Sequence, residues 1–180
     1  MATVTRDERR TALLVPVAAD ALVAGFRHRH NAFAVARGLP PHITVLYPFA
    51  PALTVTETTS SDLARHFGTF PQFEAELTGV DSFSGFVWLA PEPRTRFLEL
   101  IESTCARYPA FPPYAGGGGE PEPHLTIAAT GAGGDLDGIV QLARSELSPM
   151  LPFRFSVSSV SLFEEGSDGR WSERQRFALA

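Results

Sequence analysis

A short proline-led motif occurs twice in the sequence, once in each half of the chain. The first copy reads Pro-Pro-His-Ile-Thr-Val at residues 40–45, and the second reads Pro-Glu-Pro-His-Leu-Thr-Ile at residues 121–127. Successive side chains of an extended strand point to opposite faces. The histidine and the threonine of each copy therefore share one face, while the neighbouring apolar residues can enter a core. Nothing in packing requires that polar face, so the repeat indicates a functional site.

The polar residues of the two motifs are the candidate catalytic groups: His42, Thr44, His124 and Thr126. Two such faces turned toward each other would form one cleft with two imidazoles and two hydroxyls, a constellation that suits phosphodiester chemistry. Imidazole titrates near neutrality, so one ring can act as general base and the other as general acid. The hydroxyls can donate hydrogen bonds to the non-bridging phosphate oxygens. The sequence does not distinguish the acid from the base.

Composition narrows the choice of chemistry. All fifteen cationic residues are arginine. Without lysine, a Walker-type phosphate loop, a pyridoxal enzyme and an ATP-dependent nucleic-acid ligase cannot operate in their usual form. The single cysteine, Cys105, can neither form an internal disulfide nor supply a zinc site by itself, and it falls on the apolar stripe of a predicted helix. We expect no metal and no cofactor.

Charge and hydropathy indicate the kind of partner. The net charge of −5 argues against broad, sequence-independent binding to long nucleic acid, which requires a basic surface. A small nucleotide or an RNA end fits better. No apolar run approaches membrane-span length, and residues 1–10 lack the apolar segment of a signal peptide. We therefore expect a cytoplasmic protein, without a membrane partner, that works as a monomer.

Periodicity predicts helices that alternate with strands. Predicted strands cover residues 11–17, 73–83 and 86–89 besides the two motif strands, and predicted helices cover residues 20–31, 60–67, 95–108 and 136–147, the last capped by Asp135. Residues 32–41 and 109–123 are predicted loops, and His66 is expected at the surface. A C-terminal hairpin is predicted from residues 153–165 and 170–179, with a change of phase at residues 158–159 and with Trp171 as a packing residue.

These elements indicate an α+β fold. Short connections between strands favour antiparallel sheets over a parallel, doubly wound fold. The motif histidines are 82 residues apart (124 − 42), near half of the 180-residue chain. We therefore predict a single domain over residues 1–180, made of two intertwined and pseudo-symmetric lobes. Each lobe would have an antiparallel sheet with helices outside, and the cleft between them would carry both His-x-Thr strands.

On these residues the chain resembles the two-histidine (2H) phosphoesterase superfamily, and in particular its 2′-5′ RNA ligase-like, or cyclic phosphodiesterase, branch. The likeness covers both motifs, the opening strand Ala-Leu-Leu-Val-Pro at residues 12–16 and the C-terminal hairpin. It implies two antiparallel sheets around a cleft. It also implies that both histidines act, without metal, on 2′,3′-cyclic phosphates or 2′-5′ phosphodiester bonds. The glycine-rich loop and the lack of lysine depart from the family and concern the substrate contacts.

Residues that could contact the substrate flank the motifs. Tyr47 and Phe49 follow the first motif and could stack a base. Packing between the lobes is an equally good interpretation of Phe49, and the better one of Tyr47, because alternation places Tyr47 on the inward face. Arg37 and Arg94 are candidate phosphate contacts, with Arg96 as a third. Solvated surface arginines are the competing interpretation.

Three other interpretations remain open. The histidines could belong to a metal-dependent hydrolase, although no acidic trio or His-rich spacing accompanies them. The cleft could be a non-catalytic nucleotide- or RNA-binding module. The histidines could also be structural, hydrogen-bonded within the sheet. The substrate itself is left open among an RNA end, a cyclic nucleotide, an ADP-ribose derivative and a specialised metabolite.

Overall fold

The fold is known from a computed structural model that describes residues 9–117, 119–131 and 134–180. The strands are β1 (Thr11–Pro16), β2 (His42–Leu46), β3 (Phe73–Phe83), β4 (Phe86–Glu92), β5 (Leu125–Ala129), β6 (Phe153–Val157), β7 (Ser159–Glu165) and β8 (Trp171–Ala178). The α-helices are α1 (Asp20–His30), α2 (Ala32–Ala36), α3 (Glu57–Phe67), α4 (Arg94–Arg107) and α5 (Leu136–Leu147). Among the described residues, no helix is both long and apolar enough to cross a lipid bilayer.

All described strand pairs are antiparallel, and the eight strands form one sheet in the order β6-β3-β4-β5-β2-β1-β7-β8. The predicted α+β class is confirmed. Each half of the sheet contains four strands. The innermost strand of each half is a motif strand, β2 in one half and β5 in the other. The two halves are thus joined into one continuous sheet by their His-x-Thr strands, where the pair Ile43–Leu125 forms the ladder.

The core lies on the face of the sheet that the helices cover. Leu63 and Phe67 of α3, Phe97 and Leu100 of α4, and Val140 of α5 are all buried in one cluster with the apolar strand residues. Burial of each such side chain contributes roughly 1.5–3 kcal/mol. A smaller cluster, made of Ala12, Leu14, Phe163 and Trp171, lies on the other face. Trp171 is a packing residue there, as predicted.

The predicted C-terminal hairpin is partly wrong. β7 pairs with β8, but β6 pairs with β3 at the opposite edge of the sheet. The change of phase at residues 158–159 is therefore the point at which the chain leaves one half of the sheet for the other. A change of phase in a strand accompanies a bulge, a bend or a strand break alike, so sequence alone could not identify the break.

Two local predictions are also corrected. The predicted loop at residues 32–41 contains α2, a helix whose alanine-rich sequence favours helix but which buries none of its side chains, so it lacks an amphipathic signature. Helix α3 begins at Glu57, three residues earlier than predicted, with Thr56 as its N-cap and Thr59 as the N3 partner in a capping box. The Asp135 cap of α5 is confirmed, with its carboxylate accepting from the Gly138 amide at 2.8 Å.

His66 is not at the surface, contrary to the prediction. It is 9% exposed and its Nε2 lies 3.1 Å from the hydroxyl of Thr104. That hydroxyl donates its proton to the Leu100 carbonyl at 2.6 Å. Because Thr104 has no second proton to donate, it accepts a hydrogen bond from His66 Nε2–H. The contact joins α3 to α4.

Candidate functional site

The site is built on the ladder that joins the two halves of the sheet. Ile43 and Leu125 face each other across β2 and β5, and both side chains are buried in the core. The residues that flank this pair therefore point to the opposite face. Continuing the antiparallel register by one residue in each direction places His42 opposite Thr126, and Thr44 opposite His124. Side chains directly opposite have Cβ atoms about 4.5–5.5 Å apart, and diagonal neighbours about 7–8 Å.

Both histidine rings are anchored in the same way. The Nδ1 atom of His42 lies 2.7 Å from the carbonyl oxygen of Pro40, and that of His124 lies 2.6 Å from the carbonyl oxygen of Glu122. A carbonyl only accepts, so each Nδ1 carries the proton and donates it. In the neutral ring Nε2 is then the acceptor. Each histidine therefore has its Nε2 free to take a proton from a substrate or return one to it.

The surroundings of His42 strongly favour its neutral form. Burial lowers its pKa from 6.5 to about 4, and the positive charges of Arg27 and His124 act in the same direction. The hydrogen bond to the Pro40 carbonyl opposes these effects but does not outweigh them. At neutral pH His42 is therefore an unprotonated base.

His124 lies among aromatic side chains. The ring of Phe83 stands perpendicular to it with centroids 5.0 Å apart, and the ring of Trp88 is 5.9 Å away. Burial lowers the pKa of His124 below its usual value, and the Glu122 carbonyl and the Glu122 carboxylate, which both raise it, do not outweigh burial. The Glu122 carboxylate favours the charged form of His124, whereas the positive charges of Arg27 and His124 disfavour the charged form of His42. His124 is therefore the more readily protonated of the two.

A larger cavity of about 640 Å³ opens on the His124 side. Thr44, His124 and Thr126 line it together with aromatic side chains, namely Tyr47, Phe83, Phe86 and Tyr114. Tyr114 comes from a short 3₁₀ turn, Pro113–Gly116, inside the predicted loop at residues 109–123, and its amide donates to the Tyr47 carbonyl at 2.7 Å. This turn brings the loop over the cavity, where aromatic faces surround two hydroxyls and one imidazole.

A smaller cavity of about 410 Å³ lies on the His42 side. Its lining includes His42 and Arg27, and it shares Thr126 and Phe86 with the larger cavity. The Nη2 group of Arg27 donates to the carbonyls of Leu39 at 2.9 Å and Pro40 at 3.3 Å. The Pro40 carbonyl also holds His42, so Arg27 supports the backbone that orients this ring.

The two aromatic candidates from the sequence have different environments. Tyr47 lines the larger cavity, contrary to the predicted inward face, because the pairing of β2 with β1 shifts register between Thr44 and Leu46. Val45 and Leu46 are therefore both in the core, and the faces are reversed from Leu46 onward. Its hydroxyl accepts from Arg10 at 2.6 Å. Phe49 is 4% exposed in the core, with its ring against Tyr108 and Phe111. It lines neither cavity, so we do not include it in the proposed site.

The arginine candidates are engaged elsewhere. Arg37 forms an ion pair with the buried Glu165 at 2.7 Å and donates to the Gly169 carbonyl at 2.8 Å. Arg94 forms an ion pair with Glu122 at 2.9 Å, on the segment that anchors His124. Arg96 forms an ion pair with Glu99 within α4. None of the three lines either described cavity.

Sequence reasoning missed two residues of the site, Arg27 and Tyr114. Arg27 lies in the last turn of α1, where a cation is expected from the helix dipole alone. Tyr114 lies in a proline- and glycine-rich loop without periodicity. Neither position carries a pattern that indicates a site, because each reaches it only through the path of the folded chain.

Within residues 9–117, 119–131 and 134–180, no three His, Cys, Asp or Glu side chains converge as a set of ligands. The two motif histidines lie together with threonines instead. The metal-dependent hydrolase interpretation therefore gains no ligand set from the described part of the chain.

The family model of the 2′-5′ RNA ligase superfamily matches residues 15–169. This span includes both His-x-Thr motifs, the helices α1 to α5 and most of the sheet. A search of curated protein sequences gives no significant match.

Solved structures share the fold. A structure described as a phosphoesterase superposes with a TM-score of 0.62 at 15% sequence identity, covering 96% of this chain and 98% of that one. The apo form of E. coli LigT superposes with a TM-score of 0.61 at 17% identity and the same coverages. Protein TT0787 of Thermus thermophilus superposes with a TM-score of 0.58 at 16% identity, covering 94% and 97%. E. coli LigT has also been solved with 3′-AMP, NADP+ and ATP.

Proposed function

Because the chain belongs to the 2′-5′ RNA ligase superfamily, we propose that it is a phosphodiesterase that cleaves 2′,3′-cyclic phosphate or 2′-5′ phosphodiester bonds. Its substrates are RNA ends or small nucleotides. One observation carries this proposal: the β2–β5 register brings His42, Thr126, Thr44 and His124 to one face of the sheet. Two histidines and two hydroxyls around one phosphorus suffice for acid-base cleavage.

The proposed reaction uses one histidine on each side of the phosphorus. The Nε2 atom of neutral His42 takes a proton from a water molecule as the water oxygen bonds to phosphorus. One of the two ring P–O bonds of the cyclic phosphate breaks, and protonated His124 gives its Nε2 proton to the departing ribose oxygen. This assignment follows from the stronger lowering of the His42 pKa. The roles exchange in the reverse, ligating direction.

Thr44 and Thr126 supply the stabilisation of charge. Each hydroxyl lies opposite a histidine of the other half, so each can donate to a non-bridging oxygen of a phosphate held between the rings. A cyclic phosphate is strained and already places its phosphorus where a single activated water can attack. In this proposal the reaction needs acid-base help rather than the charge of a metal ion.

Substrate size follows from cavity shape and charge. The aromatic rings of Tyr47 and Tyr114 lie 6.5 Å apart at the larger cavity, which can accept a nucleobase. The net charge of −5 leaves no basic surface for a long polyanion. The molecules bound by E. coli LigT, which are 3′-AMP, NADP+ and ATP, agree with a site for a small nucleotide.

Turnover of matched phosphodiesters tests the proposal. A mononucleotide 2′,3′-cyclic phosphate, a 2′-5′-linked dinucleotide and its 3′-5′-linked isomer would be compared with and without EDTA. We expect turnover of the first two, unchanged by EDTA, and little turnover of the isomer. Loss in EDTA that a divalent ion restores would establish the metal-dependent hydrolase. Tight binding without turnover would establish the binding module.

A second comparison tests substrate size. The kcat/KM for the mononucleotide cyclic phosphate would be compared with that for a long RNA bearing the same end, at low and moderate salt. We expect similar values and weak salt dependence. A large preference for the long RNA that collapses with salt would contradict the proposal.

A further inference from the structure

Arg27 carries a buried charge without a full counter-charge. It is 4% exposed, more buried than any other described arginine. Its Nη2 group donates to two carbonyls, while its Nε is buried without a hydrogen-bond partner and its Nη1 makes no hydrogen bond to a described residue. The carboxylate that most favours its charge is Asp20, on the same helix, and no described carboxylate forms an ion pair with Arg27.

A buried positive charge without a counter-charge favours the binding of an anion. Buried charges are normally paired, because an unpaired one loses its hydration without compensation. The C-terminal end of α1 and two carbonyls contribute only partial negative charge near the guanidinium. Burial accordingly lowers the pKa of Arg27. A bound anion would supply the missing counter-charge.

The smaller cavity can place that anion next to the reacting phosphate. Arg27 lines the smaller cavity and not the larger one, whereas His124 lines the larger cavity and not the smaller one. The group of the substrate that reaches farthest toward Arg27 is therefore a different group from the phosphate held between the two histidines. Thr126 and Phe86 line both cavities, so one molecule can occupy both at once.

Other residues of the smaller cavity fit a nucleotide. Phe33 lies at the edge of this cavity and is 73% exposed; the Arg37 guanidinium covers one face of its ring, and an aromatic group can stack on the other. Asn31 also lines it. A guanidinium matches the geometry of a phosphate and can donate two parallel hydrogen bonds to it.

We propose that the smaller cavity is a subsite for a second phosphate group of the substrate, which pairs with Arg27. The substrate class is then a nucleotide that carries a further phosphate besides the scissile phosphodiester, as an RNA end or a nucleoside bisphosphate derivative does. This inference rests on the proposed function, because it assigns one substrate to both cavities.

Two substrates that differ only in the second phosphate test the subsite. They are adenosine 2′,3′-cyclic phosphate and the same compound with a 5′-phosphate. We expect the wild-type protein to prefer the 5′-phosphorylated compound by about tenfold or more in kcat/KM, mainly through KM, since a hydrogen bond to a charged group is worth that much. Equal values for the two compounds would overturn the subsite.

Variants at Arg27 separate the subsite from a general defect. Arg27→Met is expected to abolish the preference for the 5′-phosphate, and Arg27→Lys to keep part of it. The matched control is Arg29→Met, because Arg29 is an exposed arginine of the same helix that pairs with Glu146; it should keep the full preference. If Arg27→Met lowered kcat/KM equally for both compounds, Arg27 would act on His42 or on the scissile phosphate, and the subsite would be wrong.

A binding measurement keeps this test independent of turnover. Calorimetric titration would compare 3′-AMP with adenosine 3′,5′-bisphosphate in the wild type, in Arg27→Met and in Arg29→Met. Tighter binding of the bisphosphate that is lost only in Arg27→Met supports the subsite even if no cyclic phosphate is cleaved. Turnover of cyclic phosphates without any advantage of the bisphosphate would overturn the subsite and leave the proposed function intact.

Discussion

The two histidines occupy equivalent strands but differ in their charged neighbours. Both donate through Nδ1 to a carbonyl two residues earlier in the chain. The charges near His42 are positive, from Arg27 and His124, whereas His124 has the Glu122 carboxylate nearby. The two motifs thus hold their histidine rings in the same geometry, but the two rings differ in proton affinity. A base and an acid need this difference.

The pH dependence of His42 follows from this environment. Because its folded pKa is about 4, the folded protein binds no proton at His42 between pH 6.5 and 4, where the unfolded chain does. His42 therefore costs no stability above pH 6.5, and the free energy of unfolding falls as the pH drops from 6.5 toward 4. We expect an NMR titration to place the His42 midpoint near pH 4. A midpoint near 6.5 would show that the ring is not held neutral.

A substitution at Arg37 tests whether this arginine, which precedes the first motif, binds substrate or stabilises the fold. Glu165 is 1% exposed and accepts from Arg10 at 2.8 and 2.9 Å as well as from Arg37. We expect Arg37→Ala to lower the free energy of unfolding by about 1–3 kcal/mol, because a buried carboxylate loses a charged donor. The kcat/KM for a cyclic mononucleotide should stay within about twofold, since Arg37 lines neither cavity. A large rise in KM at unchanged stability would instead make Arg37 a substrate contact.

Alternation of side chains predicted the polar face of each motif, because His42 and Thr44 lie on a regular strand. It failed for Tyr47, because the pairing of β2 with β1 shifts register just before this residue and reverses the faces. It gave no indication of Arg27, whose place depends on how α1 packs against the segment before His42. The face on which a side chain lies within one strand or helix can be predicted from sequence. Contacts between elements depend on how the elements pack, which no local sequence pattern indicates.

At the scale of elements, α3 and α4 are joined by a buried hydrogen bond as well as by an ion pair between Asp62 and Arg107. His66 donates to Thr104, and the two residues are 38 positions apart in the sequence. The sequence suggested a surface histidine because nothing near residue 66 provides a partner. The helices were predicted from their apolar periodicity, but the polar contact between them was not.

Thr104→Val tests this contact. The substitution keeps the side-chain shape but leaves the His66 N–H unpaired in a buried position, so we expect a loss of about 1–3 kcal/mol in the free energy of unfolding. Thr95 lies exposed on the same helix, and Thr95→Val should change stability by less than about 0.5 kcal/mol. Urea unfolding of both variants measures the difference. Equal effects of the two would show that the hydrogen bond contributes nothing specific.

At the scale of the whole molecule, the repeated motif and the order of elements were enough to predict the α+β class and a cleft between two related halves. They did not predict that β2 and β5 would join the halves into one sheet, or that β6 and β7 would lie in different halves. Those features depend on which strands pair at long range. The site forms where the halves meet, so each half contributes one histidine and one hydroxyl.

In the proposed mechanism His42 and His124 act as one acid-base unit on a phosphodiester. The decisive experiment is to measure kcat/KM for a 2′,3′-cyclic mononucleotide with the wild type, His42→Ala, His124→Ala and the double variant. His28→Ala serves as the control, because His28 is an exposed histidine of α1. Each single variant should lose about 10²–10⁴-fold, and the double variant little more, since residues that act as a unit are not additive. Near wild-type kcat in either single variant, or losses that multiply in the double variant, would contradict the claim.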